Sequence, residues 1–362
     1  MRGDWSELNS ELLHLISKKL ENFSNLIRFR SVCKQWRLAV EPADLTAQLP
    51  YLLQPDQTNS LSSTDYHVFS VSSNTTSRIK LPISHLDFNY SARKATYMGF
   101  LLVDSSTHPK PPLFLFNPLT ETKLHLPFLK GKGVCKMVYV GPNPNPNSNS
   151  KTIKEGAHLV VCVADTEKSV MFWRSNDDKV TTLRLPFYQR PVLYYKGKLF
   201  VNQWLRPGTI VFDMETGAET EMNTVIPNPT GCFVFNFFVE AIGMGDLLGV
   251  IESRSFDSGM RRHKFVVYRL EHTDDFKHCR WIELNGIGER VLFLNIAGQG
   301  FCLRTSNLKG FRGNCIYYLD LCKNRNKDDQ YRLLRYNMND GTTEELQNNV
   351  HSNATWFVPS LS

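Results

Sequence analysis

From residue 51 to the end, one pattern recurs: a short apolar run, a polar turn, and a second short run, in the clearest copies closed by Leu-Pro. His67-Val68-Phe69-Ser70-Val71 leads into Arg78-Ile79-Lys80-Leu81-Pro82. Leu113-Phe114-Leu115-Phe116-Asn117-Pro118 leads through Thr120-Glu121-Thr122 into Lys123-Leu124-His125-Leu126-Pro127. Val170-Met171-Phe172-Trp173-Arg174 leads through Asp177-Asp178 into Thr182-Leu183-Arg184-Leu185-Pro186. Looser copies begin at Ile210, Phe265 and Leu333. β-branched and aromatic residues punctuated by Gly, Pro, Asn and Asp are strand-and-turn chemistry. The copies recur at intervals of roughly 40 to 65 residues, which overlaps the spacing of propeller blades.

The stretches between the hairpins carry apolar runs of their own, at 96–105, 192–203, 233–254 and 291–305. Lys196-Gly197-Lys198 and Gly243-Met244-Gly245-Asp246 break two of them into strand pairs. An inner pair plus an outer hairpin gives about four strands per unit, and radial repetition of such units is a β-propeller. The first unit, built on Tyr51-Leu52-Leu53 and the His67 hairpin, is one strand short. The chain ends on an unclaimed run, Thr355-Trp356-Phe357-Val358-Pro359, which would complete it. The expected fold class is therefore α+β multidomain. A small helical module occupies residues 1–46, and a large all-β domain occupies 47–362, a propeller of about six blades closed by the C-terminal strand. The competing architecture is a large irregular β-sandwich.

The helical module stands on a different periodicity. Leu12, Leu13, Ile16 and Leu20 form one stripe at helical spacing, and Leu26, Phe29, Val32, Cys33 and Trp36 form a second. Between them Ser24 or Asn25 is placed to cap the second helix, and Glu41-Pro42 to end the last. Two or three helices of this length bury too little surface to stand alone.

The order Leu8, Glu11-Leu12-Leu13, Ile16, Leu20, Leu26, Phe29-Arg30 and Val32-Cys33-Lys34-Gln35-Trp36-Arg37 resembles an F-box. It departs at Leu8-Asn9, where many F-boxes read Leu-Pro; Asn9 can still begin a helix as its cap. The later segment resembles the domain that follows the F-box in a large group of plant proteins. The residues that carry this second likeness are Leu49-Pro50-Tyr51-Leu52-Leu53, Phe116-Asn117-Pro118-Leu119-Thr120, Gly313-Asn314-Cys315-Ile316-Tyr317-Tyr318 and Trp356-Phe357-Val358-Pro359. The resemblance implies a non-catalytic substrate-recognition subunit of an SCF-type ubiquitin ligase. Its partners would be a Skp-family adaptor, through it cullin, and an unidentified protein substrate. It maps the adaptor contact onto Leu8, Leu12, Leu13, Ile16, Val32, Cys33 and Trp36, some of which must instead hold the helices together.

Other function classes find less support. No apolar run reaches membrane-spanning length, and the polar start MRGDWSELNS has no signal-peptide core, so the expected location is nucleus or cytoplasm rather than secretion. The eight cysteines include no C-x-x-C pair and read as reduced thiols. A net charge of +7 is dispersed and forms no recognised nucleic-acid motif. No nucleophile elbow, H-E-x-x-H or P-loop is present, so neither enzyme nor cofactor is expected. Gly243-Met244-Gly245-Asp246-Leu247-Leu248-Gly249 has no following helix and reads as a hairpin turn rather than a dinucleotide loop. His272, His278 and Cys279 with Asp274 and Asp275 match no standard zinc spacing. Gly141 to Ser150, Lys323 to Asp329, Trp204-Leu205-Arg206-Pro207 and Arg261-Arg262-His263 read as loops. The alternative function is a carbohydrate- or small-molecule-binding propeller with structural N-terminal helices; a basic nucleic-acid scaffold is a third.

Overall fold

The computed structural model describes residues 5–20, 23–40, 50–56, 65–81, 100–104, 113–126, 135–142, 158–164, 169–174, 180–184, 189–203, 209–214, 219–222, 235–257, 260–273, 276, 279–295, 298–308, 310–322, 330–352 and 354–358. Contacts divide the chain into two compact units. The first comprises Met1–Lys130, Ser306–Phe311 and His351–Ser362; the second comprises Gly131–Thr305 and Arg312–Val350.

Among the described residues, the first unit holds three α-helices, α1 (Ser10–Lys18), α2 (Phe23–Arg30) and α3 (Lys34–Leu38). Asn9 caps α1 as its chemistry allows: its side-chain oxygen accepts the Glu11 N–H at 2.9 Å. The expected cap of α2 is corrected. The helix already begins at Phe23, so Ser24 and Asn25 lie inside its first turn rather than in front of it. The closing helix is shorter than its stripe: Cys33 is the N-cap of α3, Val32 lies in the link from α2, and the helix ends at Leu38. Glu41-Pro42 lies outside the described residues.

The described residues of the same unit form two sheets. In one, β1 (Tyr51–Pro55), β2 (Asp65–Ser70) and β3 (Thr75–Lys80) form an antiparallel meander. The last strand, β24 (Thr355–Phe357), adds to its free edge in antiparallel register, with Tyr51 opposite Phe357 and Leu53 opposite Thr355. The terminal apolar run thus supplies the missing fourth strand, burying Trp356 and Phe357 completely. The other sheet is β4 (Leu101–Asp104), β5 (Leu113–Phe116) and β6 (Lys123–His125).

The second unit opens with two four-stranded antiparallel meanders. These are β7 (Cys135–Pro142), β8 (His158–Ala164), β9 (Ser169–Arg174) and β10 (Thr181–Arg184), then β11 (Gln189–Tyr195), β12 (Lys198–Gln203), β13 (Thr209–Asp213) and β14 (Glu219–Met222). Strand β7 takes in Gly141 and Pro142, the first residues of the expected Pro/Asn loop; 143–150, 204–208 and 323–329 lie outside the described residues. Next come β15 (Phe237–Ala241), β16 (Asp246–Asp257), β17 (Met260–His272), β18 (Cys279–Leu284), β19 (Arg290–Leu294), β20 (Gln299–Arg304), β21 (Cys315–Cys322), β22 (Gln330–Asn337) and β23 (Thr343–Val350). They form one nine-stranded sheet, ordered β18-β17-β16-β15-β20-β19-β21-β22-β23. Two of its joins, β15–β20 and β19–β21, are parallel, where the repeat alone predicts separate antiparallel units. Gly300 on β20 lies between both neighbours: a Cβ there would stand 3.1 Å from Val239 Cγ2 on β15, across the first join, and 2.6 Å from the Phe293 carbonyl oxygen on β19.

The glycine-rich 243–249 segment is a hairpin, not a nucleotide loop. Gly243 and Gly245 take positive φ (72° and 69°) in the turn between β15 and β16. Gly249 leaves the gap that the Phe235 ring fills, since a Cβ there would meet the ring at 2.4 Å. The Arg261-Arg262-His263 segment is also corrected from loop to strand: it lies within β17, paired along β16 with Arg254 opposite His263.

Candidate functional site: the apolar face of the helical module

The helices are held together by a small apolar centre and by side chains that satisfy helix ends. Leu13, Leu26, Phe29, Ala39 and Val40 are buried. Helix C-termini leave carbonyls without intrahelical partners. Here the Ala39 carbonyl faces His14 Nδ1 at 3.2 Å and accepts from the Ser17 hydroxyl at 3.5 Å, which seats α1 against the end of α3. Gln35 Nε2 donates to the Leu8 carbonyl at 2.9 Å. Trp36 Nε1 donates to the Trp5 carbonyl at 3.0 Å, and its ring lies 4.5 Å from that of Phe29.

The apolar side chains that this packing leaves outside are unusual for a soluble surface. Among the described residues, the exposed large apolar side chains are Trp5, Leu12, Leu15, Ile16, Val32 and Leu38, all in the helical module. Leu12 (50% exposed), Leu15 (56%) and Ile16 (38%) follow one another at i, i+3 and i+4 and so line one face of α1. Apolar side chains gathered on one exposed face mark a protein-interaction surface.

The structure sorts the residues that the sequence proposed for this contact. Leu12, Ile16 and Val32 are exposed. Leu13 is fully buried and belongs to the module's own centre. Leu8, Cys33 and Trp36 are half-buried, and Trp36 is engaged with Trp5 and Phe29. Leu15, Leu38 and Trp5 are additions that the sequence pattern did not single out. Leu15 was legible in principle, because it continues the Leu12–Ile16 face by helical spacing.

Among the described residues, a second cluster of buried titratable groups lies in the nine-stranded sheet. His263 on β17 is 2% exposed in its side chain; its Nδ1 meets Glu252 Oε1 on β16 at 2.7 Å and its Nε2 faces Asp320 Oδ2 on β21 at 3.5 Å. Arg254 holds Glu252 through two bonds of 2.8 and 2.9 Å, and Arg332 on β22 holds Asp320 at 3.0 Å. Burial opposes the imidazolium, but Asp320 and Glu252 outweigh it and raise the His263 pKa. For Glu252 burial pushes upward, while the bonds from His263 and Arg254 prevail and lower it. Every carboxylate here faces a basic side chain and the set lies among Phe265 and Tyr318, so it clamps β16, β17, β21 and β22 together.

At the β17–β18 corner, His272 stacks on Phe276 with ring centres 4.2 Å apart, and the Cys279 thiol donates to the Phe276 carbonyl at 3.3 Å. Asp274, Asp275 and His278 lie outside the described residues. Among the described residues no group of three or more His, Cys, Asp or Glu side chains is placed to hold a metal ion.

Comparison with known proteins finds two family matches along the chain. The F-box domain matches residues 5–46, and the KIB1-4 beta-propeller matches residues 68–340. F-box protein SKIP23 of Arabidopsis thaliana is 53% identical over 60 residues, which is 16% of this chain and only 14% of that protein's length. F-box protein At2g05970 of Arabidopsis thaliana is 23% identical over 399 aligned residues, covering 100% of this chain and 97% of that protein. Solved structures are more distant: a chain of a nidogen/laminin complex covers 86% of this chain, is itself covered completely, and has 6% identity with a TM-score of 0.41. With an F-box at its N-terminus and the propeller match spanning most of the remaining residues, the chain belongs to the plant F-box proteins that carry a KIB1-4 β-propeller.

Proposed function

We propose that the chain is the substrate-recognition subunit of an SCF-type ubiquitin ligase, without a catalytic site of its own. The α1 face docks on a Skp-family adaptor, the adaptor joins it to cullin, and the β domain presents a target protein. The observation that carries this reading is the confinement of exposed large apolar side chains, among the described residues, to the F-box segment. A subunit of this kind accelerates transfer by proximity. Holding a target beside the ubiquitin-charged enzyme replaces a bimolecular encounter with a high effective concentration. Its place of action on this reading is the nucleus or the cytoplasm.

The test is co-purification of the full chain with a recombinant Skp-family adaptor, followed by cullin recruitment to the pair. A stable equimolar complex is the expected result. A folded chain that fails to retain any Skp-family adaptor would remove the receptor function.

A further inference from the structure

Among the described residues of the helical module, the buried polar side chains are Ser17 and Arg30. Ser17 bonds within the module, whereas Arg30 reaches out of it. Arg30 ends α2, and its guanidinium divides between two backbone acceptors. Nε donates to the carbonyl of Leu119, in the turn between β5 and β6, at 3.2 Å, and Nη1 donates to the carbonyl of Arg37, in α3, at 2.9 Å. Arg37 returns a bond from its own Nε to the Arg30 carbonyl at 3.4 Å.

The receiving turn is organised to hold its carbonyl still. Asn117 is fully buried, and its side-chain oxygen accepts the N–H groups of Leu119 (2.9 Å) and Thr120 (3.3 Å). Its backbone closes the turn twice, donating to the Thr122 carbonyl at 3.0 Å and accepting from Glu121 N–H at 2.8 Å. The Leu119 side chain is buried, and α2 also packs on β3. Burial and the neighbouring Arg37 charge lower the Arg30 pKa, and Glu121 on the turn opposes them. A buried charge is tolerated only when its donors are met, and a guanidinium is the side chain whose fixed fork serves two separate acceptors at once.

We infer that Arg30 is a positioning residue: it fastens the F-box helices to the β5–β6 turn, so that the docking face and the sheets of the first unit move as one body. Relative motion is the default for modules joined by a modest interface, and a swinging adaptor site would dilute the proximity on which transfer depends. The functional consequence rests on the receptor reading; the fastening itself does not.

The experiment separates the two. Spin labels are introduced through a non-natural amino acid at exposed Lys18 on α1 and exposed Thr76 on β3, and the distance distribution is measured in the full chain. Adaptor binding and helical circular dichroism are recorded in parallel. The intact chain should give one narrow distance. Arg30→Met keeps the apolar stem and removes the donors; it should broaden the distribution while helicity and adaptor affinity stay unchanged. Arg30→Lys, which serves one acceptor, should fall between them, and Asn117→Ala should broaden the distribution from the other side. A distribution as narrow in Arg30→Met as in the intact chain overturns the proposal. Broadening accompanied by lost helicity or lost adaptor binding also overturns it, because Arg30 would then be a core residue of the module. If the intact chain itself binds no adaptor, the receptor reading falls, and the distance measurement still decides the fastening.

Discussion

Replacing Leu12 and Ile16 together with glutamine tests the proposed docking face at its two central exposed side chains. Fully burying a Leu or Ile side chain contributes about 1.5–3 kcal/mol relative to full exposure. Leu12 is 50% and Ile16 38% exposed in the free chain, so an adaptor has roughly half of that left to gain at each, about 1 kcal/mol. Losing both costs about 2 kcal/mol, or roughly thirty-fold in Kd. Each glutamine amide pressed into a dry interface without a partner adds about 1–3 kcal/mol, which brings the expected loss to roughly a thousand-fold or more. The alanine pair lacks that penalty and should stay near the thirty-fold limit. Because each side chain is already about half-buried in the free chain, the double substitution should also lower the stability of the free chain by about 1 kcal/mol per site without unfolding it. Leu13→Ala is the contrast: a fully buried side chain whose loss costs about 2–5 kcal/mol and unfolds the helices. Calorimetric titration of purified adaptor into each variant, with circular dichroism melts alongside, reads both effects. A folded Leu12→Gln/Ile16→Gln chain that binds within about threefold of the parent, a difference under 1 kcal/mol, would show that α1 is not the docking element.

Three further outcomes are expected. Trp356 is fully buried in β24, so Trp356→Ala should cost about 3–5 kcal/mol, and removing residues 355–358 should expose the β1 edge and produce association in size-exclusion chromatography; a monomer of unchanged stability would refute the pairing. The His263 pKa is raised, so its contribution is complete below the ordinary value of 6.5 and is lost as pH rises through the folded value, whereas that of Glu252, lowered, is present above 4.5 and lost as pH falls. The melting temperature of the parent chain should therefore fall more steeply above pH 6.5 than that of His263→Gln, and parallel slopes would mean that the clamp carries no proton-linked stability. Residues 47–362 expressed alone should fold, with a β-type spectrum and cooperative unfolding; an aggregated product would assign the helices to a shared core.

The hairpins were legible because their information is local. The two-residue connection Lys196-Gly197 between β11 and β12 places both residues at positive φ (46° and 80°), the geometry that the strand twist selects in a tight hairpin. The pairing of β24 with β1 was legible for a different reason: an apolar run at the chain end has to be covered by something, and the first unit was one strand short. The parallel joins β15–β20 and β19–β21 left no such trace, since periodicity reports which face a residue lies on and not which strand lies beside it. Arg261-Arg262-His263 misled because charge reads as solvent exposure. His263 is inside the sheet since Glu252 and Asp320 are there to meet it, and a pairing between β16, β17 and β21 is invisible to a window of neighbouring residues.

The docking face shows the same limit from the opposite side. Helical spacing established that α1 is amphipathic, but not which way it is turned, because leucines that form a core and leucines that meet a partner are chemically alike. The deciding residue is Ser17. By polarity it belongs outside, yet it is buried because its hydroxyl donates to the His14 carbonyl at 2.8 Å and reaches the Ala39 carbonyl at the end of α3. With Ser17 and Leu13 inward, Leu12, Leu15 and Ile16 are turned outward. The three outward apolar side chains cost solvation in the isolated chain, a cost that a partner covering the face would recover, and the proposed adaptor contact rests on that.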